Sequence, residues 1–393
     1  MTIYVIDTRI TVIETITIGN YIQMKDFITY LILDCKTWEF AKRNIPYIKK
    51  NISSNITIIS SKKILRKDLL GCAFIDENSL LPKLSFNEVS SYIKKLGGDP
   101  KNTGWYLQQF LKLGLAKNCR DEYYLVWDAD TIPLNPIDFF DKNGRPYFNL
   151  KREYFYSYFR TIKNLFNLKK GRPESFISEH MIFNSDVVRE MLLKIEENNS
   201  ILGENFWQKI LNASELLAPD YVKTDQRFFS EFETFGTYCE HFHPKLYATR
   251  KLRTLRRGTD FLGKTPSDEI LDWAAKDFDT ISFEEWGTPI PEMTALTQDQ
   301  SIREKKSFAD TIRLFFKLEK KKIFEGFPKI NHEKFRLFLD TIGSTGFDFF
   351  FNKKCIYSKK KEFRIARVFD KVHFLQVWKG RFQRYWRLFT FKF

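Results

Sequence analysis

Asp128 and Asp130 close the apolar run YYLVWDADTIPL, residues 123–134. Two carboxylates one residue apart repel unless one is protonated or a cation lies between them. A hard cation such as Mg2+ or Mn2+ removes that repulsion and can also hold a diphosphate. An extended backbone would turn both side chains to one side. A parallel strand would present them at the carboxyl-end crevice where α/β sheets bind ligands. An aspartate turn that ends a strand ahead of Pro133 accounts for the same residues without any ligand. D-x-D is too short a motif to decide between the two readings.

Other residue types point to related chemistry. CEHFHPK offers His241 and His243, which share a face if the stretch is extended, and histidine is a common transition-metal ligand. YATRKLRTLRRG holds Arg250, Lys251, Arg253, Arg256 and Arg257. Such arginines either clamp phosphate oxygens or form a solvated basic face.

The pattern of apolar residues supplies elements to position these groups. DFITYLILD (26–34) reads as a buried strand, WEFAKRNIPYIKKNI (38–52) as a helix and NITIISS (55–61) as a second strand. Strand, helix and strand at this length form a βαβ unit and imply a parallel sheet covered by helices. NEVSSYIKKLGG (87–98) reads as a helix with Ser85 or Asn87 as N-cap and Gly97-Gly98 as its stop. TGWYLQQFLKLGLAKN (103–118) is a second helix, capped by Thr103, and EYYLVWD (122–128) is the continuous apolar strand of a sheet centre. SFISEHMIFNSDVVREMLLKIEE reads as loop, strand and amphipathic helix, and TDQRFFSEFETFGTYCEHF (224–242) as a helix that turns extended after Gly236. The first 25 residues alternate β-branched and polar residues and suit one or two strands.

The chain has 393 residues, 43% apolar and 29% charged, which is the balance of a folded protein. Its net charge of +15 favours anionic partners: phosphate-bearing substrates, nucleic acid or acidic lipid. Five scattered cysteines with no C-x-x-C pair suit reduced thiols and a cytoplasmic setting. Neither a signal peptide nor an uncharged run of the ~20 residues needed to span a membrane is evident.

GWYLQQFLKLGLA before the aspartates, with ISEHMIFN and FFSEFETFGTY after them, resembles bacterial glycosyltransferases of the GT-A fold. The likeness is to a group of such enzymes linked to polysaccharide and lipopolysaccharide synthesis. It is carried by Gly104, Trp105, Tyr106, Gln108, Gln109, Lys112 and Leu113, by Asp128, Asp130 and Thr131, and by Ser230, Glu231, Phe232, Glu233 and Gly236. Phenylalanines stand where that group has tyrosines in the last stretch. The resemblance implies a mixed, mainly parallel α/β sheet of the GT-A (Rossmann-like) kind over residues 26–294. It also implies Mn2+ or Mg2+ bound by Asp130 directly, with Asp128 on the ribose or a metal-bound water, and Gln109 and Lys112 on the donor side. It adds a histidine as third metal ligand, here His243 in preference to His241. A transfer that inverts the anomeric centre needs a base. Glu231 is the first choice for that base, with Glu233, Glu179 and His180 as the others.

The C-terminal extension, 295–393, follows a polar stretch (TALTQDQSIREKKS) that suits a linker. Residues 363–393 carry eight Lys or Arg against one Asp, with Val368, Val372, Leu375, Phe382, Trp386 and Phe389 near helical spacing. That pattern serves an interfacial anchor on an anionic inner leaflet or a helix packed on the catalytic domain. The expected partners are a nucleotide-sugar donor, UDP-linked, and a glycan or lipid-linked glycan acceptor, with no nucleic acid. The rival readings are a nucleotidyltransferase, disfavoured by the missing glycine-rich phosphate loop, and a basic non-enzymatic binding protein.

Overall fold

The computed structural model describes residues 27–315, apart from residues 35, 63, 65–67, 152–154, 217–226 and 285–286. These residues belong to the first of two compact units, Met1–Ser344; the second, Thr345–Phe393, lies outside the described residues. The expected strands of residues 1–25 and the basic segment 363–393 also lie outside them.

A first half-sheet is built by β1 (Ile28–Ile32), α1 (Trp38–Asn51), β2 (Ile56–Ser60) and β3 (Ala73–Asp76). After α2 (Phe86–Lys95) and α3 (Thr103–Gly114) the chain returns through β4 (Tyr123–Trp127), and a turn leads into β5 (Thr131–Pro133) and β6 (Tyr147–Asn149). Then follow α4 (Tyr156–Phe166), β7 (His180–Asn184), α5 (Ser185–Glu196), α6 (Phe206–Ala213) and α7 (Glu231–Phe242). The remaining elements are β8 (Ala248–Arg250), β9 (Thr254–Leu255), α8 (Gly258–Leu262), α9 (Asp268–Ala275), β10 (Thr280–Ser282), α10 (Pro291–Gln298) and α11 (Gln300–Lys305).

The main sheet runs β3-β2-β1-β4-β7. Its first four strands are mutually parallel and β7 is antiparallel to β4. This is the mixed, mainly parallel α/β sheet flanked by helices that the sequence resemblance implied. Strand order reverses between β1 and β4, so the crevice at their carboxyl ends is the natural ligand site. All five residues of β2, β4 and β7 are buried, which explains their unbroken apolar runs. The edge strand β3, with AFID at most half-buried, lacks such a run and gives no clear signal in the sequence. Residues beyond β4 form smaller sheets, β5-β10-β9 and β6-β8.

Ser85 caps α2, accepting from the Glu88 amide, and Gly97 takes the left-handed conformation (φ 73°) after the helix. Thr103 is the first residue of α3 rather than its cap; its hydroxyl donates to the Pro100 carbonyl at 2.7 Å. The polar stretch from residue 295 is not a linker. It forms the end of α10 and all of α11, and Trp273 Nε1 donates to the Lys306 carbonyl while Phe308 packs on Trp273 and Phe278. A polar, charge-rich surface on short helices mimics linker composition.

The largest departure from expectation is α7, which stays helical through Gly236 to Phe242. Glycine there allows a close approach rather than a break. A Cβ on Gly236 would stand 2.2 Å from Cγ of Phe176, whose ring packs directly on the helix. Gly236→Ala is therefore expected to destabilise the protein by about 1–3 kcal/mol despite alanine's better helix propensity. Urea denaturation followed by circular dichroism measures it; an unchanged midpoint would contradict this packing.

Candidate active site

Asp128 directly follows β4, and its backbone N–H donates to the Glu179 carbonyl just before β7. The chain then turns: the Thr131 amide donates to the Asp128 carbonyl at 3.0 Å. The turn and the acidic pair are therefore one feature, and the extended alternation expected of 128–130 is absent. Two buried asparagines of α1 hold the segment from beneath. Asn44 donates to the Ala129 carbonyl and Asn51 to the Pro133 carbonyl, each at 2.7 Å. Neither carries a motif; their signal was a polar residue on the buried face of an amphipathic helix.

The two aspartates have different surroundings. Asp128 accepts from Lys112 Nζ at 3.0 Å. Lys112, on α3, is 3% exposed and reaches Glu231 Oε1 at 2.8 Å, and its ammonium lies 4.4 Å above the Phe232 ring. Burial opposes its charge, but Asp128 and Glu231 outweigh that and raise its pKa. Gln109, one turn earlier and with its amide nitrogen toward the carboxylate, donates to Glu231. Lys112, Asp128, Gln109 and Glu231 thus form one network at the mouth of the crevice.

Among the described residues the Asp130 carboxylate accepts one hydrogen bond, from the Thr131 hydroxyl at 3.3 Å. Burial, then Glu284 and Asp128, push its carboxyl well above the usual range, and Arg256 only partly offsets them. Asp128 is also raised, first by burial, with Lys112 opposing and Glu179 and Glu284 adding. Glu284 was not apparent in the sequence. It reaches the pair because β10 runs antiparallel to β5, with Ser282 opposite Thr131, and the Phe283 amide donates to the Asp130 carbonyl at 2.8 Å. Arg256 bonds the Glu284 carboxylate at 2.8 Å.

The donor set is all carboxylate oxygen, which suits a hard divalent cation. Among the described residues no three His, Cys, Asp or Glu side chains gather as a metal cage. One or two carboxylates completed by substrate phosphates is the usual arrangement for Mg2+, so the pair fits a cation brought together with a diphosphate.

Several expected residues stand elsewhere. His243 caps the far end of α7, ~18 Å of helix rise from Glu231, and bonds Glu190 at 3.0 Å. His241 lies within that helix, its ring directed to the Thr237 carbonyl. The continuous helix therefore removes the shared extended face of the two histidines and keeps His243 from the aspartates.

Glu233 is fully buried and accepts from the Ser175 hydroxyl, the Phe176 amide and Lys170. It fastens the 170–176 loop to α7 and does not face the crevice. His180 is 3% exposed and stacked on Trp127 at 4.8 Å, on the face of the sheet opposite Asp128. Burial, then Arg250 and Lys151, keep it neutral by lowering its pKa well below the ordinary value. Of the basic stretch, Lys251 pairs with Glu174, Arg253 with Asp279, Arg256 with Glu284 and Arg257 with Asp260. Arg250 donates to the Asp138 carbonyl. The last three of the four ion pairs hold 253–284 together, while Lys251 and Arg250 tie the segment to Glu174 and Asp138.

Fold and site define a mixed α/β protein with an acidic pair at the switch point of its sheet. The chain belongs to the family described as "Family of unknown function (DUF6492)", whose profile matches residues 12–244. Among solved structures it is similar to an apo structure of WbbM, a bifunctional glycosyltransferase, at 12% identity and a TM-score of 0.33. That similarity covers 69% of this chain and 48% of the other, so the chain spans about half the length of its structural neighbour. No curated protein matches. Among the described residues no helix is long and apolar enough to cross a membrane.

Proposed function

We propose that this chain is a glycosyltransferase that binds a nucleotide-diphosphate sugar with Mn2+ or Mg2+ and passes the sugar to a glycan acceptor of the bacterial surface class. The observation that carries the reading is the Asp128–Asp130 turn at the carboxyl end of β4, with Asp130 beside Glu284 and without an ion-pair partner of its own among the described residues. A cation bound there would neutralise charge on the diphosphate leaving group. Asp130 is the residue to hold it. Asp128, already satisfied by Lys112, is suited to the ribose or to a metal-bound water.

The chain's own residues have separable tasks in this reading. Lys112 fixes Asp128, and Glu231 with Gln109 fixes Lys112. Glu231 is 2% exposed and already holds an ammonium, so its task is to position rather than to remove the acceptor's proton. Glu179, whose carbonyl accepts from the Asp128 amide and whose carboxylate pairs with Lys151 at 3.2 Å, is assigned in this reading to the acceptor side.

The test is incubation of the full chain with a panel of nucleotide sugars and Mn2+, scoring release of nucleoside diphosphate. Turnover that EDTA abolishes and Mn2+ restores is the expected result. No turnover with any donor, together with no Mn2+-dependent nucleotide binding by calorimetry, would refute the reading.

A further inference from the structure

At the start of the edge strand β7, with Glu179 beside Asp128 and His180 on the other face of the sheet, lies a second group of polar side chains that the proposed donor chemistry does not use. Asn149 on β6, Lys151 just after it, and Glu179 and His180 at the start of β7 are all at least nine-tenths buried. Asn149 pairs in register with Arg250 of β8, so both side chains lie on one face of that small sheet, and Lys151 follows Asn149 by two residues. Phe139 ties the group together: its ring lies 5.6 Å from His180 and 5.3 Å from the Arg250 guanidinium. Arg250 and Lys151 are also near enough to His180 to act on its charge.

Many of these groups have no hydrogen-bond partner among the described residues. They are Asn149 Nδ2, Lys151 Nζ, Glu179 Oε2, both ring nitrogens of His180, and Nε and one terminal nitrogen of Arg250. Lys151 lies 3.2 Å from Glu179 but in poor hydrogen-bonding alignment. An unmet buried polar group costs on the order of 1–3 kcal/mol, so this many in one place calls for a ligand or ordered water. The balance points to the ligand. Unmet donors outnumber unmet acceptors, and among the five residues two cations stand against one anion: Glu179 lies beside Lys151, while Arg250 feels Asp138 and Asp279 from outside the group. Water supplies donors and acceptors equally and brings no charge. A carboxylate or phosphate brings only acceptors and one or two negative charges, in the geometry that guanidinium and ammonium groups bind best.

We propose that Asn149, Lys151, Glu179, His180 and Arg250 form a subsite for an anionic group, carboxylate or phosphate, carried by the molecule that receives the sugar. The subsite lies across Asp128 from the β1–β4 switch point, where the nucleotide is expected, so it is placed for an acceptor rather than a donor. The word acceptor rests on the glycosyltransferase reading; the anion site itself does not. Arg250 is the one member that is not fully buried and marks the side from which a ligand enters.

The test uses the full chain and three probes at constant ionic strength: inorganic phosphate, glucuronate, and glucose as the uncharged control. Thermal shift gives apparent affinity, and the His180 ring resonances report local binding by NMR. Saturable stabilisation by phosphate or glucuronate but not glucose is expected, with movement of the His180 signals. Lys151→Met is expected to weaken it at least about tenfold. Asn149→Asp keeps the acceptor for the Leu252 amide but places a carboxylate where the free amide stood, and it should abolish binding even if Lys151→Met fails to fold. Response to glucuronate alone assigns an acidic sugar, and response to phosphate alone a phosphorylated acceptor. No stabilisation by either anion, or equal stabilisation in Asn149→Asp, overturns the subsite. If that happens while Mn2+-dependent sugar release persists, only the subsite fails; anion binding without any sugar release would instead remove its assignment to an acceptor.

Discussion

Asp130→Asn is expected to abolish Mn2+-dependent nucleotide binding and lower nucleotide-sugar turnover about 10³-fold, while raising the thermal stability of the metal-free protein. Opposite signs for activity and stability follow from the carboxylate's surroundings. Asp130 is half-buried beside Glu284 and Asp128, with one neutral hydrogen bond and only the field of Arg256 in its favour. Its pKa is raised, so the folded state holds that proton more tightly than the unfolded chain does. Stability from this residue is present at pH below the raised value and is lost as pH rises through it. Ionising this carboxylate in the folded state is therefore a cost, and an isosteric amide removes it. A bound cation reverses the account by compensating the charge, and its loss removes several kcal/mol of charge stabilisation at the leaving group. Asp128→Asn should weaken binding less and should not raise stability, because it strips Lys112 of a partner. Calorimetry with a UDP-sugar and Mn2+, with parallel melting curves in EDTA, measures both effects. Unaltered affinity in Asp130→Asn would refute the proposed metal role of this carboxylate.

Elements with a strong period or a continuous apolar run were legible: β1, α1, β2, α2, β4, β7 and α5 form close to where the sequence places them. The acidic pair was legible as well, because D-x-D follows a buried strand whose end a parallel sheet delivers to a crevice. What was lost depended on long-range closure. Glu284 lies 154 positions beyond Asp130 and meets it only because β10 pairs with β5 in a small secondary sheet. Local sequence does not encode that pairing. Gly236 was misleading for the same reason. Glycine in a helix pattern reads as a stop until Phe176, 60 residues earlier, is seen to pack where a Cβ would sit. With that reading went the face that His241 and His243 would share on an extended stretch; His243 instead caps the helix and bonds Glu190. The stretch SEFE also hides a division of labour. Ser230 caps α7 by accepting from the Glu233 amide, but the Glu233 carboxylate leaves the cap for Ser175 and Phe176. Glu231, one position into the helix, is the one turned to Lys112. Two acids at this spacing leave a helix in different directions, and only the packing of α7 against α3 says which one meets the site.

That packing makes Lys112 a residue whose loss is expected to cost the protein much of its stability. Lys112→Met keeps the length and apolar stem of the side chain, so little cavity opens. It leaves Glu231 buried with no cation and Asp128 without its ion pair, and breaking a buried pair from one side costs about 3–5 kcal/mol. Removing both partners is a different operation. Lys112→Met with Glu231→Leu deletes the stranded charge together with its counter-ion and should recover at least about half of that loss. A double-mutant cycle reads the coupling. The pH dependence is a second check. Burial raises the Glu231 pKa, with Lys112 opposing; deleting Lys112 raises it further. The variant's folded state then holds the Glu231 proton more tightly than its unfolded state, so its stability falls as pH rises from 5 to 8. The deficit relative to the parent should be largest at the alkaline end and shrink toward pH 5. Glu231→Gln separates a positioning role from a catalytic one. A lost general base would cost about 10²–10⁴-fold in rate with stability intact and would remove a limb of the pH–rate profile. A lost anchor for Lys112 lowers stability and leaves that profile's shape unchanged. Urea titrations at three pH values and a pH–rate profile decide the matter, and retained stability with a lost limb would return Glu231 to the chemistry.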